Sequence, residues 1–183
     1  MRIVVLSGLL LAVLSVNLVA VPLPTDPRPT EPTEEQLAAA KEAYAKFGAK
    51  YEFLTDLSKK QTCHRFIMPF KTTDADLKGL PDLPFRFALN LTSTQVTDSG
   101  MKEIKELKNL WFLDLSEDKV TDAGIKELKD LTNLTAIWLQ HTEVTNTILK
   151  ELKDRKNLTS LNLGRTQVTD VGLKDLKKLK SIS

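Results

Sequence analysis

Hydrophobic positions return every 24 residues along the carboxy-terminal part of the chain. The tripeptide Val-Thr-Asp, or Val-Thr-Asn in one copy, begins at Val96, Val120, Val144 and Val168. In the same register, pairs of leucine or isoleucine separated by one residue occur at 89–91, 113–115, 137–139 and 161–163. A fixed period of this length is the signature of stacked structural repeats, so it is interpreted before any local element.

Each repeat is predicted to form one strand followed by one helix. The alternating apolar pairs have the period of a strand with one buried face, so each pair marks a strand. The Thr-Asp pair that follows supplies a side-chain oxygen for the first amides of a helix and an acidic residue for the positive end of its dipole. Met101, Ile104 and Leu107 then recur at helical spacing and predict a buried helix face. One unit cannot bury its leucines alone, whereas stacked units can.

The consensus unit L-x-L-x-x-T-x-V-T-D-x-G is seen best at 113–134 and at 161–179. It resembles the leucine-rich-repeat family, in the short 24-residue helical subtype found in secreted bacterial proteins. The resemblance implies an α/β fold, a right-handed solenoid over residues 71–183 with parallel strands on the concave face and helices on the convex face. It also implies a role in binding proteins, and it brings no catalytic motif with it.

Two repeats depart from the consensus. Asp118 stands where the other repeats have threonine, and Ile148 stands where they have glycine. Arg155 occupies a column that is otherwise leucine. Because a buried charge is costly without a partner, Arg155 leaves the packing of the third repeat helix an open question.

Two segments at the amino terminus predict export. Residues 1–20 combine an early arginine, an apolar middle and a small residue before the first proline, a pattern that predicts a secretory signal peptide. An uncleaved membrane anchor is the alternative. Residues 21–32 carry five prolines and are predicted to form an extended spacer. The mature chain is therefore expected in the periplasm or outside the cell, with no membrane insertion once the signal is cleaved.

Residues 33–70 are predicted to form an amino-terminal cap of one helix and two short strands. Thr33 and Gln36 have the spacing of a capping box, and Gly48 marks the end of the helix. Aromatic and aliphatic residues near 51–53 and at 66–68 then predict the strands. Such a unit would cover the first end of the repeat array.

The composition excludes several kinds of function. The chain has 183 residues, with 26 lysines and arginines against 24 aspartates and glutamates, so no basic excess points to a nucleic acid. One cysteine and two histidines are too few for a disulfide framework or a structural zinc site, and no cofactor or metal is expected. Cys63 and His64 are neighbours on a predicted strand, so their side chains diverge and cannot act as a nucleophile and its base.

Strand alternation selects the residues that face away from the leucine core. The candidate partner-binding residues are Phe112, Asp114, Trp138, Gln140 and Asn162 on the strands, with His141 and Arg165 just beyond them. Exposed aromatic residues are enriched at binding hot spots, so Phe112 and Trp138 are the strongest candidates for contact with a partner. The alternative is that these two rings pack against each other across neighbouring strands and simply cover the sheet.

The sequence therefore predicts an exported, non-catalytic module that binds a protein through its concave face. The alternative function is carbohydrate or cell-wall binding, with Trp138 and Phe112 as stacking platforms. No carboxylate pair, metal cluster or nucleophile with a base occurs at a suitable spacing, so an enzyme is not expected. The last repeat ends after Leu179 and Ile182 without a polar cap, which makes self-association through that end a further expectation.

Overall fold

The computed structural model describes residues 31–56 and 61–176. The predicted signal peptide, most of the proline-rich spacer, and Leu179 and Ile182 lie outside the described residues. The elements along the described chain are α1 (Glu34–Ala45), β1 (Lys50–Asp56), β2 (Gln61–Ile67), α2 (Asp74–Leu77), β3 (Phe87–Asn90), α3 (Asp98–Ile104), β4 (Leu110–Asp114), α4 (Asp122–Glu127) with a 3-10 turn (Leu128–Asp130), β5 (Ala136–Trp138), α5 (Asn146–Leu152), β6 (Ser160–Asn162) and α6 (Asp170–Leu176). Within these ranges no helix has the length and apolar character that crossing a membrane requires.

The described strands form one sheet in the order of the sequence, from β1 to β6. β1 and β2 are antiparallel, and each later strand is parallel to the one before it. One helix lies between each two successive parallel strands, so the predicted alternation of parallel strands and helices is confirmed. The strands begin one to three residues earlier than predicted, because the backbone hydrogen bonds between neighbouring strands start before the first of the alternating leucines.

The predicted helix and two strands of the amino-terminal cap are present and cover one end of the core. Thr33 and Gln36 form the expected capping box at the start of α1, and Gly48 follows the helix with a φ of 78°. Tyr44 is completely buried against Phe66 of β2, with ring centroids 4.2 Å apart. The helix is thereby packed onto the first parallel strand of the sheet.

A hydrophobic core runs between the sheet and the helices through all the repeats. The inward residues of β4 and β5, such as Leu113 and Ile137, are completely buried. In the last repeat the equivalent residues Leu161, Leu163 and Val168 are only half-buried, because no described strand follows β6. The carboxy-terminal end of the core is therefore open in the described part of the chain.

A carboxylate of each repeat binds the start of the next repeat's helix. Asp98 Oδ1 accepts the backbone N–H of Thr121 at 2.8 Å, and Asp98 Oδ2 accepts the hydroxyl of the same threonine at 2.7 Å. Asp74–Thr97 and Asp122–Thr145 have the same geometry. In Asn146–Thr169 the amide Oδ1 accepts the backbone N–H of Thr169, and Nδ2 donates to the threonine hydroxyl. We call these contacts the Asp–Thr ladder. The threonine caps its own helix as predicted, whereas the aspartate also reaches the following repeat, which the sequence did not predict.

Glycine makes room for this carboxylate. A Cβ on Gly124 would lie 2.4 Å from Asp98 Oδ1, and a Cβ on Gly100 would lie 2.5 Å from Asp74 Oδ1. Both distances are too short for a real side chain, so the glycines two residues after Asp98 and Asp122 belong to the ladder. Ile148 takes the glycine position in the third repeat. The bond from the preceding repeat is kept there, because Asp122 still accepts the backbone N–H of Thr145.

The packing of the third repeat helix is not disturbed by Arg155. Its guanidinium donates to the carbonyls of Leu128 and Leu131 in the preceding repeat, at 3.4 Å for Leu131. These carbonyls lie at the end of a helical segment, where a positive charge is favourable. Burial lowers the pKa of the guanidinium. Leu149 and Leu152 stay completely buried, so the arginine replaces a leucine without opening the core.

We expect Gly124→Ala to destabilise the fold through the carboxylate of Asp98. The added methyl group would meet Asp98 Oδ1 and would lie 3.0 Å from carbons of Met101 and Val120. The free energy of unfolding, measured by urea denaturation, should fall by about 2 kcal/mol. In an Asp98→Ala background the same substitution should cost at least ~0.5 kcal/mol less, because the closest atom is gone. An equal cost in both backgrounds would show that the carboxylate does not require the glycine.

Candidate functional site

The face of the sheet opposite the leucine core, here called the strand face, carries four rows of side chains that run from β3 to β6. The first and second rows lie on the strands and are Ala88, Phe112, Ala136 and Ser160, then Asn90, Asp114, Trp138 and Asn162. The third and fourth rows follow the strands and are Thr92, Ser116, Gln140 and Gly164, then Ser93, Glu117, His141 and Arg165. Every predicted partner-binding residue falls within these rows.

The first row is apolar and buried at Ala88, Phe112 and Ala136, and it ends at the half-buried Ser160. Phe112 is only 2% exposed, and its ring packs edge-on against Trp138 with centroids 5.1 Å apart. The expectation of an exposed Phe112 is therefore wrong, and the cross-strand packing of the two aromatics is confirmed. Trp138 itself is half-buried, which leaves part of its ring at the surface.

Trp111 belongs to the same aromatic cluster and was missed by strand alternation. A register shift in the pairing of β3 with β4 makes it an extra residue, so Trp111 and Phe112 lie on one face. Trp111 is 2% exposed, and the guanidinium carbon of Arg86 lies 5.8 Å from its ring centroid. The sequence does carry a signal for this shift. Two residues, Trp111 and Phe112, lie between two inward-facing leucines, whereas strict alternation allows only one.

Backbone amides orient the polar residues of the second row. The carboxylate of Asp114, which is buried, accepts the N–H and the hydroxyl of Ser116 at 3.0 and 2.6 Å. Asn90 and Asn162 likewise accept the N–H of the residue two positions ahead. Trp138 takes the corresponding position on β5, directly between Asp114 and Asn162 in register. A large aromatic is thus bordered by fixed polar groups on both sides.

The fourth row is an exposed polar margin in the left-handed backbone region. Its four residues have φ angles of 56° to 64° although none is glycine, a conformation that costs about 1 kcal/mol or more for each. Ser93 donates to Glu117 at 2.7 Å. Arg165 Nη1 lies 3.2 Å from Nε2 of His141, within hydrogen-bonding distance. Each repeat thereby holds one polar side chain out from the same edge of the sheet.

Asp118 is a buried carboxyl group next to the polar margin. Its Oδ1 accepts the N–H and the hydroxyl of Thr94 at 2.7 and 2.8 Å. Burial raises the carboxyl pKa to about 7; the bonds from Thr94 oppose this effect, and the charges of Asp114 and Glu117 add to it. The departure of Asp118 from the threonine consensus therefore places a titratable group where the other repeats have a neutral one.

Cys63 and His64 lie on opposite faces of β2, as predicted. Cys63 is buried in the aromatic cluster of the strand face, where burial raises the thiol pKa to about 12. His64 lies on the core side, with Nδ1 2.8 Å from the hydroxyl of Tyr51, and burial lowers its pKa. A thiol that stays protonated is a poor nucleophile. In the part of the chain that the structure describes, no three His, Cys, Asp or Glu side chains are grouped to hold a metal ion.

Phe70 is 77% exposed and was not singled out from the sequence. It follows Met68, whose N–H donates to the carbonyl of Asn90, so Phe70 lies at the same end of the sheet as the fourth row. No periodic signal could have found it, because it precedes the first complete repeat.

A family model described as leucine-rich repeat matches residues 88–105 and 156–177. Both stretches contain a Leu-x-Leu pair and a Val-Thr-Asp tripeptide. The two matched stretches are therefore similar to leucine-rich repeats, and both keep the register of the 24-residue period. A comparison with curated proteins finds no match.

Similar solved structures include two internalins of Listeria monocytogenes and one plant receptor ectodomain. The internalin C2 (inlC2) is 20% identical over 81% of this chain and 71% of its own, with a TM-score of 0.48. The internalin inlF is 20% identical over 54% of this chain, with a TM-score of 0.37, and this chain spans only 34% of it. The leucine-rich-repeat ectodomain of the receptor kinase SOBIR1 from Arabidopsis thaliana is 12% identical over 76% of this chain and 97% of its own, with a TM-score of 0.29.

We expect stability to fall as pH rises through the range in which Asp118 titrates. The unfolded chain releases this proton near pH 4, whereas the folded chain holds it until about pH 7, so folding is opposed by the buried charge above that value. Asp118→Asn keeps an oxygen for Thr94 and removes the charge. Its gain in unfolding free energy over the natural chain should therefore be larger at pH 8 than at pH 5, measured by urea denaturation.

Glu103→Gln is the matched control, because Glu103 is an exposed carboxylate on α3 whose charge is not among those that raise the pKa of Asp118. This variant should differ from the natural chain by nearly the same amount at both pH values. If Asp118→Asn also shows no dependence on pH, the raised pKa of Asp118 is wrong.

Proposed function

We propose that this chain is an exported, non-catalytic protein-binding module of the short leucine-rich-repeat subtype, and that its partner binds the strand face around Trp138. The observation that carries the proposal is a half-buried tryptophan fixed in register between Asp114 and Asn162. Leucine-rich repeats typically serve as protein-interaction scaffolds, which supports a partner of this class.

Trp138 has the properties of a preorganised binding anchor. Phe112 supports its ring from the neighbouring strand, so little side-chain entropy is left to lose when a partner covers it. Tryptophan is among the residues that dominate binding energy when they are desolvated at the centre of an interface. The other strand positions of the second row are polar, so Trp138 is the apolar centre of a polar surface.

The fourth row would supply the rim of this interface. Ser93 and Glu117 form one hydrogen-bonded pair, and His141 and Arg165 form another, all exposed at one edge of the strand face. A partly apolar centre with a polar, mixed-charge rim is the usual anatomy of a protein interface. The partner favoured by this arrangement is a protein surface with both apolar and hydrogen-bonding groups.

Carbohydrate or cell-wall binding is less well supported. That function needs exposed aromatic faces on which sugar rings can stack, and the sequence offered Phe112 and Trp138. Burial of Phe112 removes one of these platforms. A single half-buried ring is an ordinary protein-binding anchor and a poor site for a polysaccharide.

The proposed site of action follows from the amino-terminal pattern. The predicted signal peptide at 1–20 would direct export, and the prolines of 21–32 would separate the repeats from the membrane or the cleavage point. An uncleaved anchor would leave the repeats on the same side of the membrane. Whether the signal peptide is cleaved or remains as an anchor, the strand face would lie outside the cytoplasm.

A photoreactive side chain at position 140 tests the proposed site. Gln140 is half-buried in the third row, whereas Lys150 is exposed on α5 and provides a matched control position. After irradiation of producing cells, the exported fraction should contain a protease-sensitive adduct from position 140 and none from position 150. An adduct formed at position 150 alone would contradict binding through the strand face.

Trp138→Ala in the same background should reduce the yield of this adduct at least tenfold. A desolvated aromatic anchor contributes about 2 kcal/mol or more to an interface, which corresponds to that loss of affinity. Val171→Ala shortens a side chain that is 71% exposed on α6 and should leave the yield unchanged. An undiminished yield with Trp138→Ala would show that the tryptophan is only part of the packing. An adduct destroyed by glycosidases and resistant to proteases would favour the carbohydrate alternative.

A further inference from the structure

Two threonines in equivalent positions close the turns that follow β5 and β6. The hydroxyl of Thr142 donates to the carbonyl of Leu139 at 2.7 Å. The hydroxyl of Thr166 donates to the carbonyl of Leu163, also at 2.7 Å. Each threonine donates its backbone N–H to the same carbonyl as well. Two donors on one carbonyl therefore hold each of these turns.

Asp118 occupies the equivalent position after β4 and, as a carboxylate, supplies only one of the two donors. Its backbone N–H donates to the carbonyl of Leu115 at 3.2 Å. Its Oδ1 accepts the N–H and the hydroxyl of Thr94 in the preceding repeat. Its Oδ2 is buried and has no hydrogen-bond partner among the described residues. An ionised carboxylate only accepts hydrogen bonds, so this turn lacks its second donor unless Oδ2 carries a proton.

We propose that Asp118 is a pH switch: while it is protonated, Oδ2 donates to the carbonyl of Leu115 and closes the turn as threonine does, and loss of the proton loosens the turn. A neutral carboxyl group offers one oxygen that accepts and one that donates, which matches Thr94 on one side and Leu115 on the other. Burial without a cation favours the neutral form. The carboxyl pKa of about 7 accords with a proton that is held at acidic pH and lost at alkaline pH.

The charges around Asp118 act in the same direction. The carboxylates of Asp114 and Glu117, in its own repeat, both oppose its ionisation. Residues 91–96, which form the turn of the preceding repeat, include no charged residue. The other charged or titratable residues of the neighbouring turns and helix starts are Asp98, Lys119, Asp122, His141 and Glu143. Each of these is either exposed to solvent or bound in the Asp–Thr ladder, so the buried carboxyl group responds mainly to its own repeat.

Glu117 of the polar margin is the residue that the switch releases. It precedes Asp118 directly and has a φ of 64°, so its backbone is strained. Its carboxylate is held by the hydroxyl of Ser93 at 2.7 Å. A new negative charge on Asp118 repels this carboxylate, and an open turn lets the strained backbone relax. Because Glu117 and Ser93 belong to the rim of the proposed interface, a partner would bind less tightly as pH rises; this consequence, unlike the switch itself, rests on the proposed function.

Carbon-13 NMR of the purified chain between pH 5 and pH 9 tests the switch. The backbone carbonyl carbon of Leu115 should shift with the same midpoint as the carboxyl carbon of Asp118, because one proton joins the two groups. The carbonyl carbon of Leu139, which Thr142 holds, should not follow this titration. Protection of the Asp118 amide from hydrogen exchange, relative to the unfolded chain at the same pH, should be roughly tenfold or more lower at pH 8 than at pH 5.

Two variants separate loss of the proton from other effects of pH. Asp118→Asn carries a permanent N–H donor beside an accepting oxygen, and Asp118→Thr restores the residue of the other repeats. Both should keep the amide of residue 118 equally protected at pH 5 and pH 8, whereas Glu103→Gln should behave as the natural chain. A Leu115 carbonyl that ignores the titration would overturn the proposal. So would natural-chain protection that does not fall, or an equal fall in Asp118→Asn.

The photoreactive side chain at position 140 tests the effect on binding. Producing cells irradiated at an external pH of 8 should yield less adduct than at pH 5, by about threefold or more, and Asp118→Asn should remove this difference. Equal yields from the natural chain at both pH values would overturn control of binding by Asp118. Absence of an adduct at both pH values would contradict the proposed function alone, because the NMR and exchange results decide the switch by themselves.

Discussion

The Asp–Thr ladder is the contact on which the repeat array depends. The first amides of a helix have no acceptor within that helix, so they need one from elsewhere. Here the acceptor comes from the preceding repeat, at 2.8 Å both for Asp98 with Thr121 and for Asp122 with Thr145. Because each bond joins two repeats, it sets the distance between them as well as the start of a helix. Every repeat is then stabilised by its neighbour, as expected for a solenoid.

The regular spacing of the repeats produces the rows of the strand face. Asp114, Trp138 and Asn162 stand in register on three neighbouring strands because each is separated from the next by one repeat length. The polar margin repeats in the same way, with almost identical backbone angles at its four positions. Backbone geometry is thus constant from repeat to repeat, and the chemistry of the surface depends on the side chain that each repeat places on it. Trp138 is the residue that most distinguishes this surface from a uniformly polar one.

Features that follow from periodicity could be predicted from the sequence, and contacts between repeats could not. The alternation of leucines gave the strands and the face of each candidate residue, and the resemblance to leucine-rich repeats gave their parallel arrangement. It did not reveal the bond from Asp98 to the next repeat, because an aspartate after threonine is also explained by its own helix. The alternation of leucines also could not predict how exposed each side chain is. Phe112 lies on the predicted face yet is buried, since the register shift places Trp111 beside it. A period describes one unit, whereas burial depends on how neighbouring units meet.

Hydrogen exchange at the amide of Thr121 tests the role of the ladder most directly. This N–H lies at the N-cap of α4 and donates to Asp98. In an Asp98→Ala variant its exchange should become at least tenfold faster under native conditions, by an order-of-magnitude estimate for the loss of one protecting bond. The amides of Thr97 and Thr145, which other aspartates hold, should change little. Unchanged protection at Thr121 would contradict the account, because the carboxylate would then not be what joins one repeat to the next.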